Sequence, residues 1–272
     1  MNFKRVRKTL SIVAAGAALA FGMNSAYAGK IFISGHDSDD GGHVTQAFGA
    51  QMLDFIGSGN TNGGSGILVL GGYTGTSASN INNWNSVALE TLTASSGAGA
   101  IAAQSFAGFA AIFMPSASSQ TGGGITQAEL NAINLRSADI VAFVNGGGNL
   151  MAFTQQGLTG AFGWFPLGAL ATSSIGSLDI SQTPELALAG FTATNAEIAG
   201  DLYHNEFTGP AGFFGLKVLA VNNNTQQAVI LGGGVGTKIG QVPEPTTLSL
   251  FGAALLASLA WSRRKPRATR KG

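Results

Sequence analysis

The stretch TQAELNAINLRSADIVAFVNGGGNLMAF, residues 126–153, reads as a helix, a glycine turn and a strand, and it sets the class of the fold. Thr126 followed three residues later by Glu129 has the form of a capping box, in which each side chain meets the other residue's backbone N–H. Leu130, Ile133, Ile140, Val141 and Val144 recur at helical spacing and make one apolar stripe. Gly146 supplies the C-cap. The run from Asn149 to Phe153 then reads as a strand.

The same alternation continues on both sides. Residues 31–34, Ile-Phe-Ile-Ser, are the first strand. Val44, Phe48, Met52, Phe55 and Ile56 mark an amphipathic helix that Gly57 ends. Ile67-Leu68-Val69-Leu70 is a continuous apolar run, as expected of a strand buried on both faces. Residues 109–114 are a third such strand, closed by Pro115-Ser116. Residues 58–66 and 71–83 read as polar loops, 84–92 as a helix, 94–107 as ambiguous and 154–181 as irregular. Short helices are expected at 184–188 and 195–202, and a C-terminal hairpin from strands 216–221 and 228–231. Strands alternating with helices predict an α/β domain with a mostly parallel sheet.

Composition narrows the function. Of 272 residues 45% are apolar, so the core is large, but only 10% are charged, well below the usual quarter or so. The formal net charge of +1 hides a division. Ten of the fourteen Lys and Arg lie in the two tails, and residues 29–241 carry four against twelve acids, a net of −8. Such a body has no electrostatic footprint for a phosphate backbone, so no nucleic acid partner is expected. With no Cys, disulfides, thiolate metal sites and a Cys nucleophile are all excluded.

Both ends read as delivery signals. Residues 1–28 combine a basic start (Lys4, Arg5, Arg7, Lys8), an apolar run and the box Ala26-Tyr27-Ala28, the pattern of a signal peptide cut by signal peptidase after Ala28. In residues 242–272, Val242-Pro243-Glu244-Pro245 precedes an apolar stretch from Leu248 to Trp261 and then a basic cluster from Arg263. The flanking charges orient that stretch in the inner membrane with the basic end cytoplasmic. This three-part tail resembles the PEP-CTERM sorting signal of Gram-negative bacteria. The resemblance implies processing by an exosortase at Pro243, Glu244 and Pro245. A membrane-anchored precursor would then reach the cell surface or an exopolysaccharide matrix.

The body, residues 29–241, resembles the class I glutamine amidotransferase-like superfamily, nearest its trehalose-utilisation-like branch. The likeness rests on strand, helix, Val69-Leu70-Gly71-Gly72, and then Leu130 through Phe143-Val144-Asn145-Gly146-Gly147-Gly148-Asn149-Leu150. Asp201-Leu202-Tyr203-His204-Asn205 and Lys217-Val218-Leu219-Ala220 extend it. It implies a flavodoxin-like three-layer sandwich. The departures bear on activity. The family's Cys is missing, and Phe153-Thr154-Gln155 stands at the elbow after the fourth strand. His204-x-Glu206 has the family's His-x-Glu spacing but precedes the hairpin instead of following it. Glutaminase chemistry is not expected.

The candidate chemistry sits at the strand carboxyl ends, where open α/β sheets bind ligands. His36, Asp37, Asp39, Asp40 and His43 share one glycine-hinged loop and suit a divalent cation: carboxylates suit Ca²⁺, and imidazole with carboxylate suits Zn²⁺ or a similar metal. The alternative is a solvated acidic loop in which Asp39 or Asp40 caps the next helix. His204 and Glu206 form a candidate acid/base pair, and Ser116 or Thr154 a candidate nucleophile, although no G-x-S-x-G elbow exists. Trp164 and Phe165 suit either a sugar platform or the core. No organic cofactor is indicated, since Gly232 to Gly236 follows a late strand and opens no helix. Two functions stay open. One is a non-catalytic surface protein binding carbohydrate or a cation. The other is a hydrolase of extracellular glycans or amides, which requires His36, Asp37, His204 and Glu206 to converge.

Overall fold

The computed structural model describes residues 29–165, 170–175, 179–198 and 204–233. The tripartite tails, the residues before His204 in Asp201-Leu202-Tyr203-His204 and the glycines after Gly233 lie outside them. The elements in order are β1 (Ile31–Ser34), α1 (Gln46–Gly57), β2 (Ile67–Leu70), α2 (Gly75–Ala88), β3 (Leu92–Ser95), α3 (Ala98–Ala103), β4 (Ala111–Met114), α4 (Gln127–Leu135), α5 (Ser137–Asn145) and β5 (Asn149–Ala152). Then follow β6 (Ala171–Ser174), β7 (Ile180–Gln182), α6 (Pro184–Leu188), α7 (Asn195–Ile198), β8 (Asn205–Gly209), β9 (Lys217–Asn222) and β10 (Ala228–Gly233).

One mixed sheet runs β3-β2-β4-β5-β1-β10-β8-β6, with β9 on β10 and β7 on β9. The strands from β3 to β1 are parallel. The rest pair antiparallel. β1, β2, β4 and β5 are buried at every position, the reason their sequences are apolar without alternation. Their side chains nonetheless sort by parity into two cores. Ile31, Ile33, Leu68, Leu70, Ile112 and Met114 pack under α3, α4 and α5. Phe32, Ile67, Val69, Phe113, Met151 and Phe153 pack under α1 and α2. The result is a large mixed sheet with helices packed on both faces, the α/β class that the alternation of elements predicted.

Several local expectations change. The long helix divides at Arg136, whose backbone (φ −97°, ψ 13°) leaves the helical path between α4 and α5. The expected loop 71–83 is largely α2, which buries only Ser77, Ile81 and Trp84 and so shows little periodicity. The region 154–181 contains β6 and β7. The N-cap of α1 is Thr45, whose hydroxyl accepts from the Phe48 N–H at 3.2 Å, not Asp39 or Asp40.

The Thr126–Glu129 capping box is present and does more than cap. Glu129 Oε2 accepts from the Thr126 N–H and hydroxyl, both at 2.9 Å, and Oε1 accepts from the Gly97 N–H at 2.8 Å. Burial would raise this carboxyl, but the Thr126 and Gly97 backbone donors outweigh it and hold its pKa below the ordinary value. Its stabilising contribution is therefore complete above the ordinary carboxylate range and is lost as pH falls through the depressed value. Glu129→Gln leaves one acceptor oxygen for these donors and is expected to cost about 1–3 kcal/mol at neutral pH. The cost should shrink in acid, which urea unfolding at pH 7 and near pH ~3 would reveal as converging midpoints.

Candidate functional site

The site forms where β1 ends. β10 pairs with β1 through Ile230–Gly233 and with β9 across its other edge, so β8, paired at Ala228 opposite Phe207, takes over the edge that β1 vacates. The handover occurs at Gly35. Its N–H donates to the Val229 carbonyl at 2.8 Å, and its carbonyl accepts from the N–H groups of His204 (3.1 Å) and Asn205 (3.0 Å). A Cβ here would lie 1.9 Å from the Asn205 carbonyl oxygen, so this approach needs glycine. It brings the start of β8 against the loop that carries His36 to His43.

All three histidines of the chain meet there around one carboxylate. Asp37 Oδ1 lies 2.8 Å from His43 Nδ1, and Asp37 Oδ2 lies 2.7 Å from His204 Nε2. The His36 ring stands edge-on to that of His43, with centroids 5.8 Å apart. His36 Nδ1 is 3.1 Å from Ser38 Oγ, while its Nε2 is buried with no hydrogen-bond partner. Asp40 Oδ2 sits 3.8 Å from His43 Nε2. His36, Asp37 and Ser38 are each at most 1% exposed and His43 is 7% exposed, so the cluster is an interior feature and not a solvated acidic loop.

Burial sets the charges. It pushes the His36 imidazole down to about 4, against the pull of the Asp37 carboxylate. It would raise Asp37, but hydrogen bonds with His204 and His43 outweigh it and hold that carboxyl down at about 2. At neutral pH the Asp37 carboxylate is therefore ionised, with neutral His36 beside it. Asp39 behaves oppositely. It turns away from the histidines, accepting from the Ser77 hydroxyl at 2.5 Å and the Ser116 N–H at 3.2 Å. Burial pushes its carboxyl up. Asp39 is the pin that fastens the loop to α2 and to the end of β4.

The five-residue metal set thus narrows. One atom each from His36, Asp37 and His43 lie within 4.8 Å of one another. Asp39 is committed elsewhere, and Asp40 stands at the edge. The His204–Glu206 pairing is corrected: His204 is on Asp37, whereas Glu206 accepts from Asn222 Nδ2 at 3.0 Å and the Thr225 hydroxyl at 2.6 Å, tying β8 to the β9–β10 turn. Of the nucleophile candidates, Thr154 donates its hydroxyl to Asn205 Oδ1 at 2.5 Å and Ser116 gives its N–H to Asp39. Trp164 (0% exposed) and Phe165 (2%) belong to the core, not to a sugar platform. Of the four residues that the hydrolase reading requires to converge, the structure brings His36, Asp37 and His204 together and leaves Glu206 out.

Residues 241–265 match the family model described as the PEP-CTERM protein-sorting motif. The tail is therefore a PEP-CTERM signal, the mark of an exported surface protein sorted by exosortase in Gram-negative bacteria. No curated protein and no solved structure matches the chain. Among the described residues no helix is long and apolar enough to cross a membrane, and the expected Leu248 to Trp261 span falls outside them.

Proposed function

We propose that the protein is an exosortase-sorted surface protein whose body binds a divalent cation at the strand carboxyl ends and acts by binding, not turnover. The observation that carries this reading is the convergence of His36, Asp37, His43 and His204 on one buried centre. Between the two ligands left open by the sequence, the cation is favoured because the aromatic candidates for sugar stacking are core residues. Association with extracellular polysaccharide then falls to the sorted location of the protein. In this reading a signal peptide is removed at Ala28, a precursor is anchored through Leu248 to Trp261, and exosortase acts at Pro243, Glu244 and Pro245. The amidotransferase-like, flavodoxin-like assignment of the body rests on its parallel block with helices on both faces; in chain order that block reads 3-2-4-5-1, and the flavodoxin-like 2-1-3-4-5 order appears only when the count starts at β2.

The test is thermal unfolding of the purified, untagged, full-length protein in detergent, freed of metal and then titrated with Zn²⁺, Mn²⁺, Mg²⁺ or Ca²⁺. At a hundredfold excess over Kd, a bound cation adds about 2.7 kcal/mol, a shift of several degrees. No shift with any of the four would sink the reading. Hydrolysis remains a second reading because a buried carboxylate orients His204 as in an acid/base pair. It would require turnover of a chromogenic glycoside or amide that His204→Gln abolishes.

A further inference from the structure

The donor chemistry of this centre says which class of cation it takes. Resting on the cation reading above, we propose that the site binds a transition metal of the zinc class through His36 Nε2, His43 Nδ1 and one oxygen of Asp37. His204, Ser38 and Asp40 serve as the groups that orient those three ligands.

His36 and Asp37 have their outward atoms hydrogen-bonded, and all three ligands place an inward atom in the cluster. His36 offers Ser38 its Nδ1 at 3.1 Å, which leaves Nε2 as the donor, and that is the buried atom without a partner. Asp37 gives Oδ2 to His204 at 2.7 Å, which leaves Oδ1. His43 turns Nδ1 to that Oδ1 and directs Nε2 toward Asp40 at 3.8 Å. Metal-bound imidazoles and carboxylates characteristically have their second polar atom held by a neighbour, which fixes tautomer and orientation. Here Ser38 holds His36 and His204 holds Asp37, while Asp40 faces His43 from 3.8 Å, beyond hydrogen-bond distance.

Two imidazoles and a carboxylate suit Zn²⁺, Fe²⁺, Co²⁺ or Ni²⁺. Ca²⁺ demands some six to eight oxygens. The loop's other carboxylates do not supply them, since Asp39 is bonded to Ser77 and Ser116. With ligand bonds near ~2.0–2.2 Å, tetrahedral neighbours stand about 3.3 Å apart. The His43–Asp37 contact of 2.8 Å needs to open by roughly half an ångström to admit the ion. Three protein ligands also leave a coordination position for water or an exogenous ligand. The chain has three histidines and no cysteine, so no second nitrogen or sulfur site can compete by histidine or thiolate.

The experiment titrates the full-length, untagged, metal-free protein with Co²⁺ and follows its visible absorption, then displaces it with Zn²⁺. One equivalent, with the intense bands of a low-symmetry nitrogen/oxygen site, is expected. His36→Gln should abolish those bands in a variant that still shows a cooperative unfolding transition in metal-free buffer. His204→Gln should keep the one-to-one stoichiometry but weaken binding about 10–100-fold, the usual effect of losing an orienting partner. Stabilisation by Ca²⁺ without Co²⁺ or Zn²⁺ binding would overturn this inference and spare the cation reading. Undiminished Co²⁺ binding in His36→Gln would also overturn it. Absence of binding by any cation would end both.

Discussion

Gly35→Val should unfold at a denaturant midpoint corresponding to a loss of about 3 kcal/mol or more, the upper end for overpacking a buried position. The cause is backbone against backbone. The new Cβ would lie 1.9 Å from the Asn205 carbonyl oxygen and 3.1 Å from its Cβ. No rotamer relieves such a contact, because the Cβ position is set by the main chain. β8 has to withdraw from β1, which breaks the hydrogen bonds from His204 and Asn205 to the Gly35 carbonyl. His204 then leaves Asp37, and Asn205 leaves Thr154. The variant should therefore lose site integrity together with stability. Gly35→Ala should do the same on a smaller scale, since it shares the Cβ but adds no branches. A midpoint unchanged in urea would mean that the strands do not meet at this residue.

Asp37→Ala, compared in metal-free buffer, is expected to cost about 3–5 kcal/mol, the range for removing one member of a buried charged constellation. The carboxylate is 0% exposed and has an imidazole on each oxygen. Truncation strands two ring nitrogens in the interior and opens a void between them. Asp37→Asn should cost much less. The amide retains the shape and one acceptor oxygen, and a neutral imidazole can change tautomer to accept from the amide NH₂. The gap between the two variants isolates the electrostatic part from the packing part. Equal, small losses would show that the histidines do not depend on Asp37.

The parallel half of the sheet was legible because its strands are buried on both faces, which forces runs such as Ile67 to Leu70 to be apolar throughout. The glycine-hinged loop was legible as a candidate site because it concentrates two histidines and three acids in a chain poor in charge. What escaped was decided by partners distant in sequence. Asp39 resembles its neighbours as a string of letters, yet Ser77 and Ser116 draw it out of the cluster. β8, Asn-Glu-Phe-Thr-Gly, has one large apolar residue and gives no strand period, so although one reading required His204 and Asp37 to converge, the diversion of Glu206 to Asn222 and Thr225 was not visible. α2 was hidden for a related reason: a helix that presents Ser and Asn to solvent and buries Ile81 and Trp84 has the composition of a loop.

The placement of β1 has a consequence for timing. The first described strand lies between β5 and β10, so its two neighbours are made halfway along the chain and at the end of the described body. Pairing at such separation is slow to form, and an incomplete chain offers β1 no antiparallel partner at all. The histidine centre needs β8, itself seated on β10, so it assembles only once the last described strands are in place. If the centre takes an ion as proposed above, what is available outside the cytoplasm, and not the cell's internal hierarchy of affinities, would decide the occupant.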